Sequence, residues 1–127
     1  MRVALDTNAY SDFLRGVPSR VEIVRKASRI YLPLIVLAEL RAGFSAGSKQ
    51  TQNLETLARF LKSPRVSMLV PDDRTTFHYA AIYARLRTEG TPIPTNDLWI
   101  AALVEQHGLP LCTSDGHFDQ VPGLVRC

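Results

Sequence analysis

Short apolar runs alternate along this chain with longer segments whose apolar residues recur at helical spacing. The runs at 3–5, 30–32, 66–70 and 109–113 have the length of buried strands. Helical segments separate them, including one from about Leu34 to Phe44 and one that begins near Asp97 and ends at Gly108. Strands that alternate with helices predict an α/β fold with a mainly parallel central sheet. A short last strand is predicted at 124–126.

Polar residues and glycines predict where the helices begin and end. Thr7 or Asn8 can cap a first helix that ends near Gly16, and Ser19 can cap a second. Thr95 or Asn96 can cap the helix that starts near Asp97. A long helix that ends at Gly90 carries four further apolar residues: Phe77, Ala80, Ala81 and Ala84.

Length and composition predict one globular domain over residues 1–127. The chain is 46% hydrophobic and 21% charged, which is ordinary for a folded protein. Its two cysteines form no recognisable disulfide framework, no leader pattern precedes Asp6, and no apolar stretch could span a bilayer. We therefore expect a cytoplasmic protein without a membrane partner.

Four acidic residues stand at the edges of apolar runs or inside them: Asp6, Glu39, Asp97 and Asp115. Carboxylates are rarely buried unless a cation, hydrogen bonds or a metal offsets the loss of hydration. Ligands of parallel sheets bind beyond the carboxyl ends of the strands. Asp6 and Asp115 both follow predicted strands, so we expect them on the same rim. If all four acids meet, a divalent-metal site is the first hypothesis.

Taken singly, most of these acids have simple structural explanations. Asp6 and Asp97 could stabilise the first turn of a helix, and Asp115 lies in a turn-forming segment. Glu39 is harder to explain in this way because its helix neighbours are almost all apolar.

Taken in order, the four segments resemble the PIN domain, and within it the VapC-type toxins of bacterial toxin–antitoxin pairs. The resemblance covers nearly the whole chain. It rests on four segments: Leu5-Asp6-Thr7-Asn8, Val36-Leu37-Ala38-Glu39-Leu40, Asn96-Asp97-Leu98-Trp99-Ile100-Ala101-Ala102 and Leu111-Cys112-Thr113-Ser114-Asp115-Gly116-His117-Phe118.

The resemblance implies a three-layer α/β/α fold and an endoribonuclease that depends on Mg²⁺ or Mn²⁺ and hydrolyses RNA with a metal-activated water. Its catalytic and metal-binding residues would be Asp6, Glu39, Asp97 and Asp115, with Asp6 and Asp97 the firmest ligands. Asn8 and Thr113 would not bind the ion themselves but would lie next to the residues that do. The partners implied are RNA, a VapB-like antitoxin and a second copy of the chain in a homodimer.

The net charge is compatible with a polyanionic substrate, although a charge this modest is more typical of simple solubility. The chain has 15 basic and 12 acidic residues, a net charge of +3. Without the four candidate ligands, 15 basic residues face 8 acidic ones, a net charge of +7. We expect the three histidines, His78, His107 and His117, to have surface or capping roles, and Asp119 to belong to a turn. We assign Ser114 no substrate role, and expect Trp99, Tyr79 and Tyr83 to pack in the core or a dimer interface.

Three other functions are weighed against the nuclease. A phosphatase of the haloacid dehalogenase type needs a second Asp two residues after the first, where this chain has Asn8. A receiver module needs an adjacent acidic pair after its first strand and a late lysine, yet no lysine follows Lys62. A catalytically inactive PIN scaffold would have lost acids that are all present here.

Overall fold

A four-stranded parallel sheet with six helices forms the framework of the protein. The computed structural model describes residues 1–127. The strands are β1 (Arg2–Leu5), β2 (Arg29–Pro33), β3 (Val66–Leu69) and β4 (Leu111–Cys112). The helices are α1 (Thr7–Leu14), α2 (Pro18–Lys26), α3 (Leu34–Ser45), α4 (Gln50–Lys62), α5 (Asp73–Glu89) and α6 (Thr95–His107), followed by a 3₁₀ helix at Gly116–Gln120.

The strand order is β3-β2-β1-β4, and all three pairings are parallel. In β1, Val3, Ala4 and Leu5 are all fully buried. Because successive side chains of a strand point to opposite faces, this burial shows that both faces of the sheet are covered. The predicted α/β/α arrangement with a parallel central sheet is confirmed.

Strand β1 determines where the site lies. It pairs with β2 on one side and β4 on the other, with Val3 opposite Ile30 and Ala4 opposite Leu111. The carboxyl ends of β1 and β4 therefore meet at the same rim. Asp6 follows β1 directly, and the segment that follows β4 carries Thr113 and Asp115.

The edges of several elements differ from the sequence predictions. Strand β4 contains only Leu111 and Cys112, and the predicted last strand is a single parallel bridge between Leu111 and Arg126. Strand β4 is this short because the chain turns directly after Cys112 into the loop that carries Asp115. Helix α2 begins at Pro18, one residue before the predicted cap Ser19, and has no side-chain cap.

The packing of α5 differs most from the sequence prediction, because one side of this helix is exposed. Ile82 and Leu86 are buried in the core, and Tyr79 stacks against Trp99 of α6 with ring centroids 4.5 Å apart. Phe77, Tyr83 and the three alanines at 80, 81 and 84 are exposed instead. Helix α5 packs mainly on α6, so one side of it has no intrachain neighbour. None of the six helices combines the length and the hydropathy that a membrane-spanning helix requires.

Candidate metal centre

A small polar cavity of about 150 Å³ opens at the carboxyl rim of β1 and β4. Its lining contains all four candidate acids: Asp6, Glu39, Asp97 and Asp115. Thr7, Asn8 and Ile100 complete the wall, and Ile100 is the only hydrophobic residue in it. Segments that are more than 100 positions apart in the sequence thus converge on one site, as expected for the rim of a parallel sheet.

Asp6 is the most deeply buried of the four acids, with 4% of its surface exposed. It is the N-cap of α1, and its Oδ1 accepts a hydrogen bond of 2.8 Å from the backbone N–H of Ala9. The hydroxyl of Thr113 donates to Oδ2 at 2.5 Å. Both carboxylate oxygens therefore have a donor, and this explains how a carboxylate can be buried here.

Glu39 reaches the cavity from α3, where it interrupts an apolar helix face. Its Oε1 accepts a hydrogen bond of 2.6 Å from the hydroxyl of Thr7, and its Oε2 accepts one of 3.3 Å from the side-chain amide of Asn96. These bonds link α3 to the first turns of α1 and α6. Asn96 was predicted as a possible helix cap, but α6 begins at Thr95 with Pro94 at the N-cap position and no side-chain cap, and the side-chain amide of Asn96 bonds to Glu39 instead.

Asp97 and Asp115 form the outer wall of the cavity with His117. The ring Nδ1 of His117 lies 3.0 Å from Asp97 Oδ2 and 3.1 Å from Asp115 Oδ1. The backbone holds this arrangement, since the N–H of His117 donates to Asp115 Oδ1 at 2.9 Å and the N–H of Asp115 donates to the Thr113 hydroxyl at 2.9 Å. The Thr113 hydroxyl is therefore bonded both to Asp6, which forms the inner wall of the cavity, and to the backbone of Asp115 in the outer wall.

The electrostatics of the cavity favour protons or cations. The pKa of Asp97 is raised to about 6, first by burial and then by the neighbouring charges of Asp115 and Glu39, against the opposing effect of His117. Burial also raises the pKa of Asp6, and Asp115 adds to the rise, whereas the donors Thr113 and Ala9 and the charge of Arg20 lower it. Both carboxylates are thus less stable as anions than they would be in water.

The donor set fits a hard divalent cation. Carboxylate oxygens, together with waters, are what Mg²⁺ and Mn²⁺ bind. One oxygen each from Asp97 and Asp115 and the His117 nitrogen lie within 4.8 Å of one another. Two carboxylates at about 4 Å repel by about 4 kcal/mol at an effective dielectric constant near 20. A bound cation would remove that repulsion, and Asp6 and Glu39 face the same cavity.

The two supporting residues predicted from the sequence have different positions. Thr113 bonds directly to Asp6, whereas Asn8 is exposed and only lines the cavity. Asp119 lies outside the cavity, where it is exposed and forms an ion pair with Arg126. Its assignment to a turn agrees with its position in the 3₁₀ helix.

Sequence reasoning missed four contributors to the site. Thr7 and Asn96 hold Glu39, and His117, expected at the surface or as a cap, contacts two of the acids. Arg20 of α2 donates to Ser114 Oγ and to the sulfur of Cys112, which brings a positive charge near Asp6. The proximity of Thr7 to Asp6 and of Asn96 to Asp97 in sequence was a usable signal, whereas no local pattern marks Arg20.

The family model of the PIN domain matches residues 3–124. The chain belongs to the PIN domain family. This match covers β1, all six helices and the loop of Asp115, so it includes every residue of the cavity.

Individual relatives are similar over nearly their full length. Ribonuclease VapC2 of Rickettsia felis is 32% identical over 126 residues, which are 95% of this chain and 92% of the relative. Toxin FitB of Neisseria gonorrhoeae is 34% identical over 124 residues, 89% of this chain and 87% of the relative. The first relative is a VapC ribonuclease by name and the second a toxin, which agrees with the resemblance of the four acidic segments.

Solved structures agree with this grouping. A chain of VapBC2 from Rickettsia felis, bound to a DNA fragment from its promoter, superposes with a TM-score of 0.85 at 30% identity and covers 100% of this chain and 98% of that one. A chain of VapBC-1 from nontypeable Haemophilus influenzae gives 0.87 at 26% identity, covering 100% and 97%. Neither the phosphatase nor the receiver alternative gains support from these relatives.

Proposed function

We propose that this chain is a divalent-metal-dependent endoribonuclease that acts as the toxin of a VapBC-type toxin–antitoxin pair. One observation carries the proposal: four carboxylates from distant segments converge on one polar cavity at the carboxyl rim of a PIN-domain sheet. Relatives that share nearly the whole chain are named ribonuclease or toxin. The substrate is RNA, and hydrolysis breaks its phosphodiester bonds.

Asp6, Glu39, Asp97 and Asp115 are the catalytic, metal-binding residues of this proposal, and the ion is Mg²⁺ or Mn²⁺. When bound, such an ion lowers the pKa of a coordinated water and neutralises charge that develops on the phosphate. The raised pKa of Asp97 supports the assignment, because it reflects burial together with repulsion from Asp115 and Glu39, and a bound cation would offset both. Asp6 is the most deeply buried of the four, and both its oxygens already have donors.

Other residues of the cavity position these acids and the substrate. Thr113 fixes the Asp6 carboxylate, and Thr7 with Asn96 fixes Glu39. Helices α1 and α6 both begin at the cavity, so the free N–H groups and positive ends of two helix dipoles face it. These helix ends favour a phosphate at the mouth of the cavity even though its interior is acidic.

Partners follow from the relatives and from the exposed side of α5. The structural neighbours are VapBC complexes, so the protein partner is a VapB-like antitoxin. We propose a homodimer in which the exposed apolar side of α5, with Phe77 and Tyr83, is covered. We also propose that residues 1–127 act as a single PIN-like domain in the cytoplasm.

Cleavage of RNA by the purified protein tests the enzyme. With Mg²⁺ or Mn²⁺ present we expect cleavage, which excess EDTA abolishes. Asp97→Asn should lower the rate by about 10²–10³-fold, the range for loss of a group that stabilises transition-state charge. The matched control is Asp119→Asn, an exposed acid of the 3₁₀ helix that lies outside the cavity. Equal activity of the two variants, or cleavage that survives EDTA, would contradict the proposal.

Growth of a bacterial host tests the toxin role separately. Expression of the chain alone should arrest growth, and co-expression of the adjacent small reading frame should relieve the arrest. The Asp97→Asn variant should be harmless at the same protein level. If the active enzyme leaves growth unaffected, the protein is a nuclease with another role.

A further inference from the structure

His117 lies where a ligand of the proposed ion would lie. Its Nδ1 is 3.0 Å from one oxygen of Asp97 and 3.1 Å from one oxygen of Asp115. Neighbouring ligands in an octahedral shell with bonds of about 2.1 Å are separated by about 3.0 Å. Each oxygen is therefore at the distance from the nitrogen that separates adjacent corners of one shell, and the three atoms all lie within 4.8 Å of one another.

The backbone holds the ring in this orientation. The N–H of His117 is bonded to Asp115, and the N–H of Asp115 is bonded to Thr113, so the turn from 113 to 117 is fixed at both ends. About half of the His117 side chain is exposed, at 52%. Water can therefore accept from the ring's other nitrogen when Nδ1 carries no proton, which is the tautomer that a metal requires.

The other histidine–carboxylate pair of the protein provides a contrast. His78 Nδ1 lies 2.9 Å from Glu105, and the only other charged group at that carboxylate is Arg85. This arrangement is an ordinary surface pair with a cation already present. At His117 two carboxylates converge on one nitrogen, and the structure gives neither of them an ion pair with a lysine or arginine.

We propose that His117 Nδ1 is a direct ligand of the divalent ion, beside Asp97 and Asp115, and that this nitrogen biases the site towards Mn²⁺ over Mg²⁺. The inference rests on the proposed metal centre. Imidazole is a good ligand for transition metals, whereas Mg²⁺ strongly prefers oxygen. An imidazole nitrogen among the carboxylate ligands should therefore weaken the binding of Mg²⁺ more than the binding of Mn²⁺.

Pulsed electron paramagnetic resonance of the Mn²⁺-bound protein tests the ligand directly. With less than one equivalent of Mn²⁺, the wild-type spectrum should contain modulation from a coordinated ¹⁴N nucleus. His117→Ala should lose this signal, and the matched control His78→Ala should keep it. Bound Mn²⁺ without nitrogen modulation in the wild-type protein would overturn the role of His117 while leaving the carboxylate centre intact.

Calorimetric titration of the same proteins with each ion tests the metal preference. We expect His117→Ala to weaken Mn²⁺ binding by about tenfold, near the lower end of effects of groups around a metal, and Mg²⁺ binding by less than about twofold. Equal losses for the two ions would overturn the preference. A wild-type protein that binds neither ion would overturn the metal centre itself, so the two failures are distinguishable. The wild-type spectrum decides the ligand question even if His117→Ala folds poorly.

Discussion

The inner and outer walls of the cavity hold their acids in different ways. The inner wall, Asp6 with Thr113, gives each carboxylate oxygen a hydrogen-bond donor. The outer wall, Asp97 and Asp115 with His117, places two carboxylates around a single ring nitrogen. The inner wall is thus a stable part of the fold without an ion, whereas the outer wall contains repulsion that an ion would relieve. The inner wall therefore needs no metal ion for its stability, whereas a bound ion should stabilise the outer wall.

Substitutions in the two walls should differ most in their effect on the free energy of unfolding. This effect is measured together with activity. Asp6→Ala and Asp97→Asn should both reduce RNA cleavage by about 10²-fold or more. Without metal at pH 7, Asp6→Ala should lose about 1–2 kcal/mol, because α1 loses its cap. Asp97→Asn should gain about 1 kcal/mol, because a strained charge is removed. Urea denaturation in EDTA measures both, and losses of similar size in the two variants would contradict the comparison.

Metal should stabilise the protein through the outer wall. At a Mn²⁺ concentration of 100 times the dissociation constant, the free energy of unfolding should rise by about 2.7 kcal/mol. In Asp97→Asn, most of this gain should disappear at the same concentration, whereas Asp119→Asn should retain it. Thermal unfolding with and without Mn²⁺ measures the difference. A full gain in Asp97→Asn would show that the ion binds elsewhere.

The pH dependence of the metal-free protein should have the opposite sign from that of ordinary paired carboxylates. The pKa of Asp97 is about 6 in the fold, above its usual 3.8, so the folded state holds this proton more tightly than the unfolded state. The resulting stability is fully present below pH 3.8 and is lost as pH rises through 6. Lowering the pH from 7 to 5 in EDTA should therefore add about 1 kcal/mol. This gain should be smaller in Asp97→Asn, where only Asp6 keeps a raised pKa in the cavity, and an undiminished gain there would assign it to another group.

The smallest effects concern the threonines that hold the acids. Thr113→Val should cost about 1 kcal/mol of stability and lower cleavage about tenfold, because buried Asp6 loses a donor. Thr7→Val should lower cleavage only a few-fold, since Glu39 is less buried and keeps its bond to Asn96. Thr113→Ser, which preserves the hydroxyl, should restore most activity. A larger loss from Thr7→Val than from Thr113→Val would contradict this ranking of the two threonines.

The sequence predicted the framework well because strand and helix periodicities are local. The extent of α3 and the ends of α5 and α6 at Gly90 and Gly108 follow from apolar spacing and from glycines in left-handed conformation, at φ 72° and 61°. Convergence of the four acids also followed, since it requires only a parallel sheet and a recognisable order of segments.

Other features depend on tertiary contacts that no local pattern encodes. Asn96 has the residue type of a helix cap, yet its amide bonds to Glu39 across a sequence separation of 57 residues. The exposure of Phe77 depends on which side of α5 meets α6, and apolar residues occur on both sides of that helix. The orientation of His117 is set by the turn after β4, whose backbone bonds appear only in three dimensions.

The wide spacing of the cavity's residues has a consequence for synthesis on the ribosome. Asp6 is synthesised 107 residues before Thr113, which fixes it, and Thr113 and Asp115 come from the segment after β4, which must itself pair with β1. Contacts between such distant positions form only after both segments are available. A growing chain therefore cannot assemble the complete acidic cavity until translation has passed Asp115. During synthesis the acidic cavity thus forms only after β4 has paired with β1.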